Sequence, residues 1–142
     1  MEHQRRNALI EQYRAGYDEI VAALDGMSDA EWDAREAPGE WSPREIIHHL
    51  ADSEMTSAMR IRRLIVEENP LIQGYDQDAF ASMLFYDRPV EASLAAFRYA
   101  RESTVPILER MSDEQWQRTG MHSESGTYAA IAWLEIYAVH AH

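Results

Sequence analysis

Residues 41–54 read Trp-Ser-Pro-Arg-Glu-Ile-Ile-His-His-Leu-Ala-Asp-Ser-Glu, a stretch that begins a long helix. Ser42 can cap this helix, the proline after it suits the first helical position, and Glu45 completes a capping box. Apolar residues then keep helical spacing to about Glu67. Pro70 follows closely and ends the helix, because the residue before a proline avoids the helical region.

Three more long helices are predicted on either side of this stretch. Apolar residues recur at three- and four-residue steps over residues 3–24, the mark of an amphipathic helix. Residues 89–111 form the next long helix, and the last begins near Thr127 and runs to the end of the sequence. A short helix is predicted over residues 76–84.

Four long helical segments and no convincing strand predict an all-α fold, a four-helix bundle. The segments are joined by linkers of roughly 15 to 20 residues, whereas 2–8 residues usually join neighbouring antiparallel helices. A crossover connection, or short extra helices in the linkers, is therefore expected.

Composition predicts one domain over residues 1–142, because 142 residues with 46% apolar side chains suit a single core. A net charge of −12 disfavours partners that carry phosphate backbones or anionic lipid. No apolar run approaches the ~20 residues of a membrane-spanning helix, so a cytoplasmic protein is expected. The last helical run lacks a glycine or a basic residue at its end, which suggests a chain cut within that helix.

Cysteine is absent, so any chemistry must use other side chains, and histidine is the first candidate. His48 and His49 are neighbours on the predicted second helix, where they point about 100° apart. Only one of them can face a given centre, and periodicity does not choose between them. Asp52 could support either ring as a hydrogen-bond acceptor. On the last helix, His140 continues the apolar stripe, while His142 should face away from it.

The opening stretch resembles the second helix of the DinB/YfiT-like metalloenzymes, the DinB superfamily. The resemblance continues in order through residues 68–72, Tyr75-Asp76, residues 122–126 and residues 137–140. It implies a bundle of the up-down-down-up kind, often a homodimer. It also implies a divalent metal ion, zinc or nickel, held by one histidine of the second helix and a His-x-x-x-His pair of the last.

Carried over by position, the first metal ligand is His49 and the second is His140. The third falls at position 144, beyond the printed residues. Three interpretations stay open: the chain continues, His142 takes the third place, or the metal has been lost.

The resemblance favours a thiol S-transferase that uses a low-molecular-weight thiol, such as bacillithiol or mycothiol, and a small-molecule electrophile. Imidazole ligands leave the ion its full charge, which lowers the pKa of a bound water or thiol. The alternatives are a metal-dependent hydrolase and a non-catalytic helical dimerisation domain with a vestigial metal site. No catalytic residue is assigned; Asp52 and Glu54 are polar candidates for proton transfer.

Overall fold

Four long helices and several short elements make up the computed structural model, which describes residues 2–140. The elements in chain order are α1 (Glu2–Leu24), α2 (Asp29–Trp32), α3 (Pro43–Val66), β1 (Leu71–Ile72), α4 (Gln77–Met83), α5 (Glu91–Arg110), α6 (Asp113–Trp116), β2 (Thr119–His122), β3 (Gly126–Ala129) and α7 (Ala130–Val139). The long helices are α1, α3, α5 and α7, and the prediction of a four-helix bundle with short helices in its linkers is confirmed.

The start of α3 is built as its sequence predicts. The Ser42 hydroxyl accepts a hydrogen bond from the Glu45 backbone N–H at 3.3 Å, and the Glu45 carboxylate accepts one from the Ser42 N–H at 2.9 Å. Two of the unpaired donors at the helix N-terminus are thereby satisfied locally. This local closure fixes where α3 starts.

Among the four long helices, α1 packs against α5 and α7, and α3 packs against the same two helices. One apolar cluster fills the interior around Tyr13, Ile61 and Trp133. A second cluster, around Ile47 and Phe97, lies between α1, α3 and α5. The buried apolar side chains are the main source of stability for such a bundle.

The expectation that the chain has no convincing strand is wrong. Three short strands form a sheet in the order β1-β2-β3, with β1 parallel to β2 and β2 antiparallel to β3. The strands are two to four residues long. They are too short to show the alternation of apolar and polar residues by which a strand is recognised. Because β3 takes residues 126–129, α7 begins at Ala130 and not near Thr127.

Gly120, in β2, makes a close approach that only glycine allows. A Cβ atom on Gly120 would lie 2.6 Å from the backbone oxygen of Pro70. We expect Gly120→Ala to lower the unfolding free energy by about 1–3 kcal/mol, because backbone must move to admit the methyl group. Gly74→Ala is the control, since its Cβ would meet only the movable carboxylate of Glu124. Urea unfolding measures both, and equal midpoints would contradict the prediction.

No helix among residues 2–140 combines the length and the apolar character needed to cross a bilayer.

Candidate functional site

The two neighbouring histidines of α3 have different surroundings. His48 is fully buried, and its Nε2 lies 2.8 Å from the Arg88 carbonyl oxygen while its Nδ1 lies 2.7 Å from the Ser93 hydroxyl. A carbonyl oxygen only accepts, so Nε2 carries the hydrogen and Nδ1 bonds the hydroxyl. Both nitrogens of His48 are therefore used to hold α3 against α5 and the segment before it.

His49 points the other way, towards the end of α7. Its ring centroid lies 5.6 Å from that of His140, and both side chains are half-buried. The Nδ1 atom of His49 is buried and has no hydrogen-bond partner among residues 2–140. An unpartnered buried nitrogen is uncommon in a folded protein and calls for an explanation.

The spacing of the two rings suits a shared ion. Two imidazoles that bind one tetrahedral ion through nitrogens at about 2.1 Å have ring centroids roughly 5 Å apart. The 5.6 Å between His49 and His140 is close to that figure. Within residues 2–140 no third His, Asp or Glu joins them as a ligand group, and His142 lies outside the described residues. The described part of the chain thus offers a ligand pair.

The surroundings keep both rings in the form that binds metal. Burial lowers the pKa of His49 below its ordinary value of 6.5, the nearby His140 lowers it further, and Asp52 partly opposes the shift. Burial also lowers the pKa of His140, helped by the positive charge of Arg101. Imidazole must be neutral to ligate a metal ion, so both side chains are ready near pH 7.

Asp52 does not pair with either histidine of α3. Its Oδ2 accepts a hydrogen bond of 2.6 Å from the Tyr86 hydroxyl. Burial and the Asp52 carboxylate both raise the pKa of Tyr86, so the tyrosine keeps its proton and remains the donor. Asp52 still lies one helical turn from His49, and it is the carboxylate that acts on the His49 pKa.

Aromatic side chains form one wall beside the histidine pair. The Trp41 ring centroid lies 4.8 Å from that of His49 and 6.3 Å from that of Tyr86. Neither ring is predicted from the sequence to be part of the site. Trp41 directly precedes the capping box of α3, and that position could have indicated a residue near His49. Tyr86 belongs to the segment between α4 and α5, where no sequence pattern indicates a residue of the site.

A buried ion pair holds the end of α7 in place. Arg101 Nε donates to Glu54 Oε1 at 2.7 Å, and both side chains are almost wholly buried. The same guanidinium donates to the carbonyl oxygens of Tyr13 in α1, at 2.6 Å, and Tyr137 in α7, at 3.0 Å. Glu54 also accepts from the Tyr13 hydroxyl at 2.7 Å. The four long helices therefore meet at one charge cluster, one turn before His140, and Glu54 is bound within the core instead of facing the histidine pair.

Comparison with known proteins agrees with this architecture. A protein of Oceanobacillus iheyensis named "Putative metal-dependent hydrolase" is 34% identical over 114 residues, which are 80% of this chain and 66% of that relative. A Bacillus cereus protein of the same name is 28% identical over 123 residues, 87% of this chain and 71% of its own. The chain thus spans about two thirds of the length of these relatives.

A solved structure has the same fold. The Bacillus subtilis protein YfiT, described as "a probable metal-dependent hydrolase with an unusual four-helix bundle topology", superposes with a TM-score of 0.92 and 26% identity, covering 98% of this chain and 81% of that one. The family model of the DinB superfamily matches residues 12–142. With that match over most of its length, the chain belongs to the DinB superfamily.

Proposed function

We propose that this protein is a divalent-metal-dependent enzyme in which His49 and His140 hold the ion. The observation that carries the proposal is that the half-buried imidazole rings of His49 and His140 have centroids 5.6 Å apart, and that a buried nitrogen of His49 has no hydrogen-bond partner among residues 2–140. The metal dependence named for the relatives supports it. A divalent ion held by neutral imidazoles acts as a Lewis acid and lowers the pKa of a water or thiol that binds it.

The reaction that we favour is hydrolysis of a small molecule, in line with the names of the relatives. The chain's own contribution is a positioned proton acceptor. Tyr86 donates to Oδ2 of Asp52 and fixes the carboxylate one turn from His49, which leaves Oδ1 to receive the proton of the nucleophile. Trp41 packs edge-to-face against the buried ring of Tyr86, and the two aromatic side chains shield this side of the site from water.

Thiol transfer is the second candidate, and the absence of cysteine bears on it. With no cysteine in 142 residues, the thiol would have to be a low-molecular-weight co-substrate. The same Asp52 would accept the thiol proton, and the small electrophile would lie against the aromatic wall. A homodimer and zinc or nickel as the ion also stay predictions.

The test uses the full-length protein loaded with zinc or nickel. Its substrates are an activated aryl ester and an aryl halide, each with and without added thiol. Turnover without thiol supports hydrolysis, whereas turnover of an aryl halide only with thiol supports transfer. We expect Asp52→Asn to slow either reaction by about 100-fold, because general-base assistance is lost, while the metal content stays unchanged. Stoichiometric metal with neither activity would favour the non-catalytic alternative and contradict the proposal.

A further inference from the structure

Arg60, on α3, is a buried cation without a carboxylate partner in the described part of the chain. Its side chain is 9% exposed. One terminal nitrogen donates to the Tyr137 hydroxyl at 3.1 Å and the other to the Gln73 carbonyl oxygen at 2.9 Å. Both acceptors are neutral, and no Asp or Glu among residues 2–140 forms an ion pair with Arg60. Buried charges are ordinarily paired, so the negative charge expected here is missing.

Tyr128, on β3, places at the same location a hydroxyl that forms no well-aligned hydrogen bond within residues 2–140 and is close to Tyr137 and Arg60. The residue is 6% exposed. Burial and the neighbouring Tyr137 raise the pKa of Tyr128, and the positive charge of Arg60 opposes that rise. The hydroxyl therefore keeps its proton and lies within electrostatic reach of the guanidinium.

Tyr75 connects this pair with the histidine site. Burial raises the pKa of Tyr75, and a hydrogen bond with Ser53 opposes that rise. Among the more distant groups, Tyr137 and the Asp52 carboxylate raise this pKa and the Arg60 guanidinium lowers it. The half-buried Tyr75 is thus near both the Arg60 guanidinium and the Asp52 carboxylate.

Helix geometry places the two sites on one face of the molecule. On α3, Arg60 follows His49 by eleven residues, which is about 16 Å along the axis and roughly 20° of rotation. On α7, the Tyr137 ring centroid lies 5.8 Å from that of His140. Each of the helices α3 and α7 therefore contributes one residue to the histidine pair and one residue to the surroundings of Arg60.

We propose that Arg60, together with the hydroxyl of Tyr128, binds an oxyanion, the carboxylate or phosphate group of a small molecule. A guanidinium with unused N–H donors matches the oxygens of either group, and the bound anion supplies the charge that the described chain does not. That this anion is part of the substrate rests on the proposed function; that an oxyanion binds does not. The enzyme would then accept substrates that carry an acidic group some distance from the reacting bond.

The experiment uses the full-length chain freed of metal by chelation, with inorganic phosphate and acetate as probes and potassium chloride at equal ionic strength as reference. We expect one of the two oxyanions to raise the Tm by about 4 °C at tenfold excess over its dissociation constant. The anion that acts distinguishes a phosphate site from a carboxylate site. A rise no larger than that in chloride, for both anions, overturns the proposal.

Three variants separate binding from a purely structural role. Tyr128→Phe removes only the unpartnered hydroxyl, so the free protein should be as stable as before while anion affinity falls several-fold. Arg60→Met should abolish the shift, and Arg62→Gln, two residues further on the same helix and bonded to Ser103 and Thr104, should keep it. An unchanged shift in both Tyr128→Phe and Arg60→Met overturns the proposal. Because metal is absent throughout, failure of the His49–His140 site would leave the result unaffected.

Discussion

Arg101→Met is expected to lower the unfolding free energy by about 3–5 kcal/mol, since it leaves a buried carboxylate without its partner. Arg101 and Glu54 are 2% and 1% exposed, and their charged atoms lie 2.7 Å apart. The guanidinium also stacks over the rings of Tyr13 and Phe97, at 4.2 and 4.6 Å from their centroids. Urea unfolding followed by tryptophan fluorescence measures the change.

Two controls make this result specific to the buried pair. Arg98→Met, on the same helix, removes the exposed pair with Glu102, and we expect its unfolding midpoint to match the wild type because exposed pairs contribute little. The double variant Glu54→Met/Arg101→Met should be more stable than the sum of the two single changes predicts, because no unpaired charge is left. A single variant Arg101→Met as stable as Arg98→Met would contradict the assignment.

His49→Ala and His140→Ala are each expected to weaken zinc or nickel binding by more than about 100-fold. Loss of a residue that only supports a ligand weakens metal binding by about 100-fold at most, so loss of a ligand should exceed that. The physical reason is that each change removes one of the two nitrogens that the described chain offers. Metal content after dialysis of the full-length protein, and titration with a competing chelator, measure the loss.

His48→Ala is the matched control for these two variants, because it removes an imidazole one residue away. Its ring is bonded to Ser93 and to the Arg88 carbonyl, so the variant should be less stable yet keep its metal. Stoichiometric metal in both His49→Ala and His140→Ala would show that the ion is held elsewhere. Loss of metal in His48→Ala alone would reverse the assignment of the two histidines.

Local signals account for what was predictable in the fold. The capping box at Ser42 and the proline after Asn69 bound α3 to within a residue or so of the observed Pro43–Val66, because a helix begins and ends on interactions between residues close in sequence. The first strand had no such signal: β1 pairs with a segment far along the chain, as Leu71 does with Met121, and pairing of that kind is invisible to a local pattern. The other two strands form a hairpin in which His122 pairs with Gly126, and at four residues each they are too short for a periodic pattern.

The amino-acid sequence by itself determined the four helices and the family and, through the family resemblance, named His49 and His140 as the candidate ligands. Only the tertiary structure decided that His48 is a core hydrogen-bonding residue, that His49 faces α7, and that Asp52 is held by Tyr86. It also decided that Arg60 is buried without a carboxylate. Periodicity reports which residues share a helix face, because that depends on neighbours along one chain. Which partner meets a face depends on how distant helices pack, and that packing is a property of the whole core.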